Sequence, residues 1–327
     1  DGTTERVGTA ARAVGGARMN PRFSVIIPAF NAVATLARAI ESVCAQSWPV
    51  HEIIVVDDGS TDATAEVARQ FGDAVRLIRQ ENSGVSVARN AGAAAATGNW
   101  LAFLDADDWY SPDRIRLHAE WIAEDATLDC LTGDYEYRDA AGSLLGTSMA
   151  QHESGRMMLA KAADALRVAM ETPAEIASFV ADHFGDTHTL SVPRARFIEL
   201  GGYPTGYKVC EDVHLLTRLV ARSRRIGVIC QSLGVYLIHG GSATRRDQVA
   251  AQRENLRTLI DLARLAEHFP GPVRQGVAAR MQSARYNLGC ALSKSGRRVA
   301  AINAVLPSLV ERPGWQSLRI VLSMIKG

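Results

Sequence analysis

The amino-acid sequence predicts an α/β protein with a doubly wound, mixed sheet and a C-terminal helical appendage. Over residues 20–125, short and nearly continuous apolar runs of strand length alternate with segments of helical period. That pattern marks a parallel sheet covered on both faces. From residue 126 the alternation loosens into an α+β pattern that should complete the same sheet. From Ala243 onward only helical patterning remains, broken at Pro270-Gly271-Pro272.

Taken in order, Phe23–Ile27 reads as the first strand, and Val33, Leu36, Ile40 and Val43 then recur at helical spacing. Glu52–Val56 is the second strand. Thr61–Phe71 is a helix with Ser60, Thr61 and Asp62 as caps. Val75–Arg79 is a third strand, Ser83–Ala96 an Ala-rich helix stopping at Gly98, and Trp100–Leu104 a fourth strand. Ser111-Pro112-Asp113 caps the helix that follows, with proline at its first position. Beyond it, Leu128–Thr132 and Tyr135–Arg138 are strand-like around a turn at Ala140–Gly142. Met157–Met170 and Ala174–His183 pattern as helices, Thr187–Val192 as a strand, Asp212–Arg222 as a helix, and Ile226–Ile229 and Val235–His239 as two strands.

Composition narrows the function. The chain has 327 residues, 47% hydrophobic and 22% charged, with net charge +1. Disordered, collagen-like and disulfide-rich classes are excluded. Its apolar runs fall far short of the ~20 residues of a membrane-spanning helix. Five scattered cysteines without a C-x-x-C pair argue against a zinc site or disulfide framework and for a reducing compartment, hence a cytoplasmic location. Asp1–Met19 lacks the apolar core of a signal peptide and reads as a flexible leader ahead of a start at Met19. The Ala/Arg-rich composition points to a bacterial source. Residues 271–327 carry nine Lys/Arg against one acid, Glu311, a surplus of +8 that leaves −7 for residues 1–270. No G-x-x-x-x-G-K-[ST] exists and no G-x-G-x-x-G follows the first strand, so P-loop and dinucleotide chemistry are excluded.

In an open α/β sheet, ligands bind outside the carboxyl ends of the strands. The first strand is followed by Pro28-Ala29-Phe30-Asn31, the second by Asp57-Asp58-Gly59-Ser60 and the fourth by Asp105-Ala106-Asp107-Asp108. Two acidic clusters at neighbouring strand ends repel one another unless a cation compensates. The alternating carboxylates Asp105 and Asp107 offer hard oxygen ligands that suit Mg²⁺ or Mn²⁺. The alternative, a loop that merely caps the next helix, is weakened because Ser111-Pro112-Asp113 can already serve as that cap.

These pieces carry a resemblance. Pro28-Ala29-Phe30-Asn31, Val55 through Asp62, Asn82-Ser83-Gly84 with Ala88-Arg89-Asn90-Ala91-Gly92, and Phe103 through Asp108 occur in an order that resembles the nucleotide-sugar half of the family 2 glycosyltransferases. Gly201-Gly202-Tyr203 with Glu211-Asp212 resembles that family's acceptor-side motif, and Tyr236, His239 and Ser242 its closing segment. The resemblance spans residues 22–245 and implies a GT-A fold, an inverting transfer from a nucleoside-diphosphate sugar, usually UDP-linked, and a divalent cation. The implied organisation is a leader (1–20), a nucleotide-sugar-binding half (21–125), an acceptor-binding half (126–245) and a basic helical region (246–327).

Residue by residue, the resemblance implies that Pro28, Ala29, Phe30, Asn31, Asp57, Asp58, Arg89, Asp105 and Ala106 contact the nucleotide. Phe30 either stacks on the base or belongs to the core. Asp58 either accepts a hydrogen bond from the base or only shapes the Asp-Gly-Ser turn. Arg89 binds a phosphate or holds an acid of the Asp57/Asp58 pair. Asp107 is the implied metal ligand, with Asp105 helping; Asp108, on the other side if the strand continues, ranks below them. His239 either completes the metal site, binds phosphate or is structural. Asp212, beside Glu211, is the implied base for the acceptor hydroxyl, at a helix N-terminus that favours its ionised form; the pair could also simply cap that helix.

The processive members' Q-x-x-R-W element is absent, since Leu215-Leu216-Thr217-Arg218-Leu219 stands in that region. Transfer of one or a few sugars, in envelope polysaccharide or glycoconjugate synthesis, is therefore expected. A saccharide, lipid-linked or protein acceptor should lie against residues 133–200, with Trp109, Asp134 and Tyr135 as candidate contacts. A sugar-phosphate nucleotidyltransferase would carry a Gly-rich basic loop where Pro28–Asn31 stands; a non-catalytic protein of the same fold is the other alternative. The basic tail either docks peripherally on the inner face of the cytoplasmic membrane, with Trp315, Leu318, Ile320, Val321, Leu322 and Ile325 as its apolar face, or packs as a lid with solvated arginines. No nucleic-acid partner is expected, because the aromatics are few and not interleaved with basic residues.

Overall fold

The structure, a computed structural model, describes residues 20–238 and 247–326. The leader through Met19, and His239 with Ser242, lie outside the described residues. The first half runs β1 (Phe23–Ala29), α1 (Leu36–Cys44), β2 (Glu52–Asp57), α2 (Thr64–Arg69), β3 (Val75–Arg79), α3 (Val85–Ala95), β4 (Trp100–Phe103), β5 (Trp109–Tyr110) and α4 (Arg114–Glu124). Next come β6 (Cys130–Asp139), β7 (Leu144–Thr147), α5 (Ser148–Gln151), α6 (Glu153–Ala162), β8 (Arg167–Met170), α7 (Pro173–Ala181), β9 (Ser191–Pro193), α8 (Arg194–Glu199), α9 (Glu211–Arg222) and β10 (Ile226–Ile238). Helices α10 (Gln248–Ala266), α11 (Gly271–Lys294), α12 (Arg298–Val305), α13 (Ser308–Glu311) and α14 (Trp315–Lys326) follow.

One mixed sheet takes the order β3-β2-β1-β4-β9-β6-β10-β5, with β7 beside β6 and β8 beside β10. The pairs β1–β2, β1–β4 and β2–β3 are parallel, while β9 joins β4 and β6 antiparallel. Parallel neighbours bring the carboxyl ends of β1, β2 and β4 to one edge, with Ala29 opposite Asp57. Period-2 alternation divides β1 between two apolar clusters. Phe23, Val25 and Ile27 face the layer of α1 and α4, whereas Ile26 joins Ile54, Val56 and Phe103 on the opposite face. That second cluster continues without a break into Leu259, Val273 and Val277 of α10 and α11.

Several expected elements differ. Met157–Met170 is not one helix. The chain reverses at Ala163, in the left-handed region at φ 49, and Arg167–Met170 becomes β8, filling the unpaired edge of β10. The two strands expected within 226–239 are one strand, as are the two within 128–138; register shifts at Ser232 keep β6 and β10 paired through the irregular part. Thr187–Thr189 forms a 3₁₀ turn before the short β9. Helix α2 begins only at Thr64 because Ser60 and Thr61 are drawn to the end of β1, where they bond Asn31. Asp113 is the N-cap of α4, but its side chain accepts from Ser47 and Arg116, not from the helix N-terminus.

Helix α3 lies so close to the sheet that a Cβ built on Gly92 would meet Ile26 Cγ2 at 2.5 Å. Gly92→Ala gains about 1 kcal/mol of helix propensity, but overpacking against a fully buried isoleucine costs about 1–3 kcal/mol. We expect a net loss of up to about 2 kcal/mol in urea unfolding. A stabilised variant would show that α3 can move off the sheet.

Candidate active site

The loops leaving β1, β2 and β4 build one wall of the site. Pro28 and Ala29 lie inside β1, buried and in register with Val56 and Asp57, so their side chains support the wall. Phe30, just beyond, is 50% exposed and so not a core residue. It is presented by Asn31, whose backbone takes φ 50 and whose N–H donates to Ser60 Oγ at 2.9 Å. A left-handed non-glycine residue is strained, and such strain clusters at functional sites.

The Asp57/Asp58 pair is spent on the protein itself. Asp57 is fully buried, accepting from Ser60 N at 2.9 Å and Arg79 Nε at 2.7 Å. Asp58 Oδ1 accepts from Gln80 Nε2 and Ser83 N, and Oδ2 from Gly84 N at 2.8 Å. Both acids therefore hold loops, and Asp58 ties the end of β2 to the start of α3. The expectation of direct nucleotide contact by Asp57 is corrected on this geometry.

Arg89 pairs with neither of them. Its side chain is only 4% exposed, and its Nη2 bonds Asp105 Oδ1 at 2.6 Å while its Nη1 bonds Glu211 Oε1 at 2.9 Å. The guanidinium also stands over the Tyr203 ring, 4.9 Å from its centroid. Beyond Asp105, Ala106 is buried, and Asp107 is half-buried with its main-chain oxygen held by Arg38 Nη2 at 3.1 Å. Asp108 turns inward, where its Oδ1 accepts from Leu237 N at 2.9 Å. Burial, with Asp107 and Asp105 close by, pushes its carboxyl well above the usual range. Asp105 and Asp107 supply the hard oxygens a divalent cation prefers, in a carboxylate cluster whose mutual repulsion a cation would relieve. Among the described residues no group of three His, Cys, Asp or Glu side chains stands ready to enclose a metal ion.

The opposite wall starts at Cys210, again left-handed at φ 64, which precedes α9. Glu211 meets Arg89, and Asp212 turns toward Asp186. Burial first, and the Asp186 charge second, push the Asp212 carboxyl up to about 7, against the Val213 N–H that favours its ionised form. The Asp186 carboxyl too is pushed above the usual range, chiefly by burial. Sequence reasoning passed over Asp186, which lies in a Gly-Asp-Thr turn that reads only as a loop. It also passed over His183, whose Nε2 lies 4.0 Å from Asp212 Oδ2.

The expected acceptor contacts divide. Trp109, in β5, is half-buried beneath the Arg38 guanidinium, 3.9 Å from its ring centroid. Asp134 is buried and accepts from Met149 N at 2.8 Å, so it anchors α5. Tyr135 is buried with its ring edge against His188, centroids 4.3 Å apart. Its hydroxyl meets that of Tyr137 at 3.0 Å. Tyr137 and Tyr236, packed against it and partly exposed, are the members of this aromatic group that reach the surface.

With this geometry in view, comparison with known proteins is specific. Residues 24–165 match the model of glycosyl transferase family 2. The chain carries a family 2 glycosyltransferase domain. Glycosyltransferase GlyA of Streptococcus pneumoniae is 29% identical over 234 residues, 69% of this chain and 32% of that one. The succinoglycan biosynthesis protein ExoO of Rhizobium meliloti is 46% identical over 98 residues, 29% of this chain and 28% of that one. The chain thus spans about a third of the length of these curated relatives. Among solved structures, S. aureus TarS 1-349 superposes with a TM-score of 0.64 at 16% identity, covering 94% of this chain and 92% of that one. Mannosyltransferase PcManGT of Pyrobaculum calidifontis, in complex with GDP-Man and Mn²⁺, gives 0.59 at 18% identity, covering 94% and 80%. The fold is the GT-A fold that the motifs led us to expect.

The Arg89 clamp yields a stability test. Arg89→Met strands two carboxylates in a largely buried place, and breaking such a pair costs about 3–5 kcal/mol. Arg89→Lys should retain part of that loss, measured by chemical denaturation. A destabilisation under 1 kcal/mol would show that the bridge does not hold the two walls together.

Proposed function

We propose that the protein is an inverting glycosyltransferase that moves a sugar from a nucleoside-diphosphate donor, most simply a UDP-sugar, to an acceptor hydroxyl without processive extension. The observation that carries this reading is Asp212. It stands at the start of α9 with a carboxyl raised to about 7, joined through Glu211 and Arg89 to the acids at the end of β4. A general base works best with a pKa near the working pH. The solved complex of TarS 1-349 with UDP-GlcNAc, TM-score 0.59 to this chain at 16% identity and covering 93% of it and 79% of TarS, supports a nucleotide-sugar donor in the same fold.

In this mechanism Phe30 offers a flat face to the base of the nucleotide, and the Asp58-held loop frames the ribose side. The acceptor oxygen attacks the anomeric carbon from the face opposite the diphosphate as Asp212 takes its proton. The bond to the diphosphate breaks and the configuration inverts. Asp107, with Asp105 and His239, would hold a Mn²⁺ or Mg²⁺ ion that gives Lewis-acid charge to the departing diphosphate. The aromatic surface of Tyr137 and Tyr236 is then the natural bed for a saccharide acceptor, whether free, lipid-linked or on a protein. ExoO's role in succinoglycan biosynthesis supports a place in polysaccharide or glycoconjugate synthesis.

Titration calorimetry with UDP tests the donor site: binding with Mn²⁺, its loss with EDTA, and its loss in Asp107→Ala. Asp212→Asn should keep UDP binding and lose about 10²–10⁴ in kcat. Because the base must be ionised, kcat should rise with pH through about 7. Absence of UDP binding in every condition would return the chain to another nucleotide or to a non-catalytic role.

We also propose a peripheral membrane contact for the basic region, on the strength of α14. Among the described residues no helix is long and apolar enough to cross a membrane. Val321 and Met324 bury one face of α14, but Trp315 is 83% exposed and Leu318 and Leu322 are partly so, with Arg319 among them. An apolar strip edged by positive charge suits the surface of an anionic bilayer. Vesicles containing phosphatidylglycerol should co-sediment the full chain, and the double substitution Trp315→Ser with Leu322→Ser should release it. Equal recovery with neutral and anionic vesicles would reject the contact.

A further inference from the structure

Helix α11 belongs to the C-terminal region, yet it reaches the back of the proposed base. It crosses α7 at Gly276, where a Cβ would stand 2.6 Å from both Ala177 O and Val180 Cβ. One helical turn later, on the same face, this close approach delivers Arg280 to the C-terminal end of α7. There its Nε donates to Val180 O at 3.0 Å, a cation meeting the negative end of a helix. Its Nη2 donates to His183 Nδ1.

A guanidinium has no acceptor, so His183 Nδ1 must present its lone pair. Burial, and the Arg280 charge next to it, keep the imidazole neutral. Its one proton is therefore on Nε2, and Nε2 is the atom facing Asp212 Oδ2 at 4.0 Å. The other groups around the ring do not compete. Phe179 meets it edge-on, and Asp182 accepts from Glu153 N at 2.8 Å. His152, the second charge-bearing neighbour, stands 3.8 Å from that same Asp182. Helix α10 fixes the segment leading into the base. Tyr207 donates to Asp261, Thr258 to Val209 O and Cys210 to Asn255.

We propose that Arg280 is a positioning residue: it fixes His183 with the proton on Nε2, and that N–H orients the Asp212 carboxylate toward the acceptor. The proposal rests on the reading of Asp212 as the base. It makes α11 part of the working site, because the histidine that faces the carboxylate is fixed by a residue of the helical region. A neutral donor is suited to this task, since it favours the ionised carboxylate without forming an ion pair that would compete for its proton-accepting oxygen.

Long-range ¹H–¹⁵N spectra of the full chain with ¹⁵N-labelled histidine read the tautomer directly, with His183→Gln assigning the signal. The expected pattern is a neutral ring protonated at Nε2. Arg280→Met should move it to mixed tautomers, and Arg280→Lys, which still donates, should restore it. In parallel, UDP release from UDP-GlcNAc or another UDP-sugar should show kcat falling about 10- to 100-fold in Arg280→Met at unchanged donor KM, the range for losing an orienting partner. Arg280→Lys should recover most of it. A wild-type ring protonated at Nδ1, ring signals indifferent to Arg280→Met, or an unchanged kcat overturns the proposal. Full activity in Asp212→Asn would instead overturn the assignment of the base, leaving the ring-nitrogen result intact.

Discussion

One buried cation joins the two halves of the site. Arg89 rises from the first turns of α3 and holds Asp105, at the end of β4, with one nitrogen and Glu211, at the start of α9, with another. Those acids are 106 residues apart in the chain, and the guanidinium between them supplies the opposite charge that two neighbouring carboxylates need. The helix that carries Arg89 is fixed in turn, by Gly92 against Ile26 and by Asp58 against the backbone of Ser83 and Gly84. The spacing between the acids after β4 and the Asp212 carboxyl is thus set by the sheet, through α3, and by one side chain.

The surrounding carboxylates show how environment divides labour among identical groups. Asp57 and Asp58 are saturated by internal donors and serve as struts. Asp105 is neutralised by Arg89, Asp108 is turned inward and raised by burial, and Asp107 stays at the mouth. Asp212 is raised toward neutrality by burial and by the Asp186 charge. A metal ligand and a proton acceptor require opposite properties, hard negative charge in one case and a pKa near the working pH in the other. On the proposed reading, their separation onto different walls, with Arg89 between, is what would allow one acidic pocket to offer both.

Much of this was legible in the chain. The strands β1 to β4 announced themselves as apolar runs, and their carboxyl ends drew attention to Phe30, Asp58, Asp105 and Asp107 because an open sheet binds there, while Arg89 was implied by the family resemblance. Which partner each acid takes was not legible. Arg89 was open to a phosphate or to an acid of the Asp57/Asp58 pair; the acids it holds are Asp105 and Glu211, the latter brought to it only in the folded chain. Asp186 and His183 escaped notice for a similar reason: a lone acid in a turn and a lone histidine after a helix carry no pattern until Asp212 is set beside them. Met157–Met170 misled because its apolar spacing suits a helix, whereas the open edge of β10 rewards a strand. Local propensity yields where a sheet has unpaired donors to satisfy.

The helical region changes the meaning of the charge asymmetry. A surplus of +8 beyond residue 271 invites the picture of a detachable basic tail. Yet Arg285 is bonded to Glu311, Arg312 to Gln282 and Arg280 to the end of α7, so a third of the nine basic groups are structural. The apolar faces of α10 and α11 are continuous with the cluster beneath the sheet, and that continuity makes the region a third layer over the sheet. Close-packed interiors transmit strain. Whatever the outer surface of α14 touches is therefore mechanically connected, through α11 and α7, to the carboxylate at the start of α9.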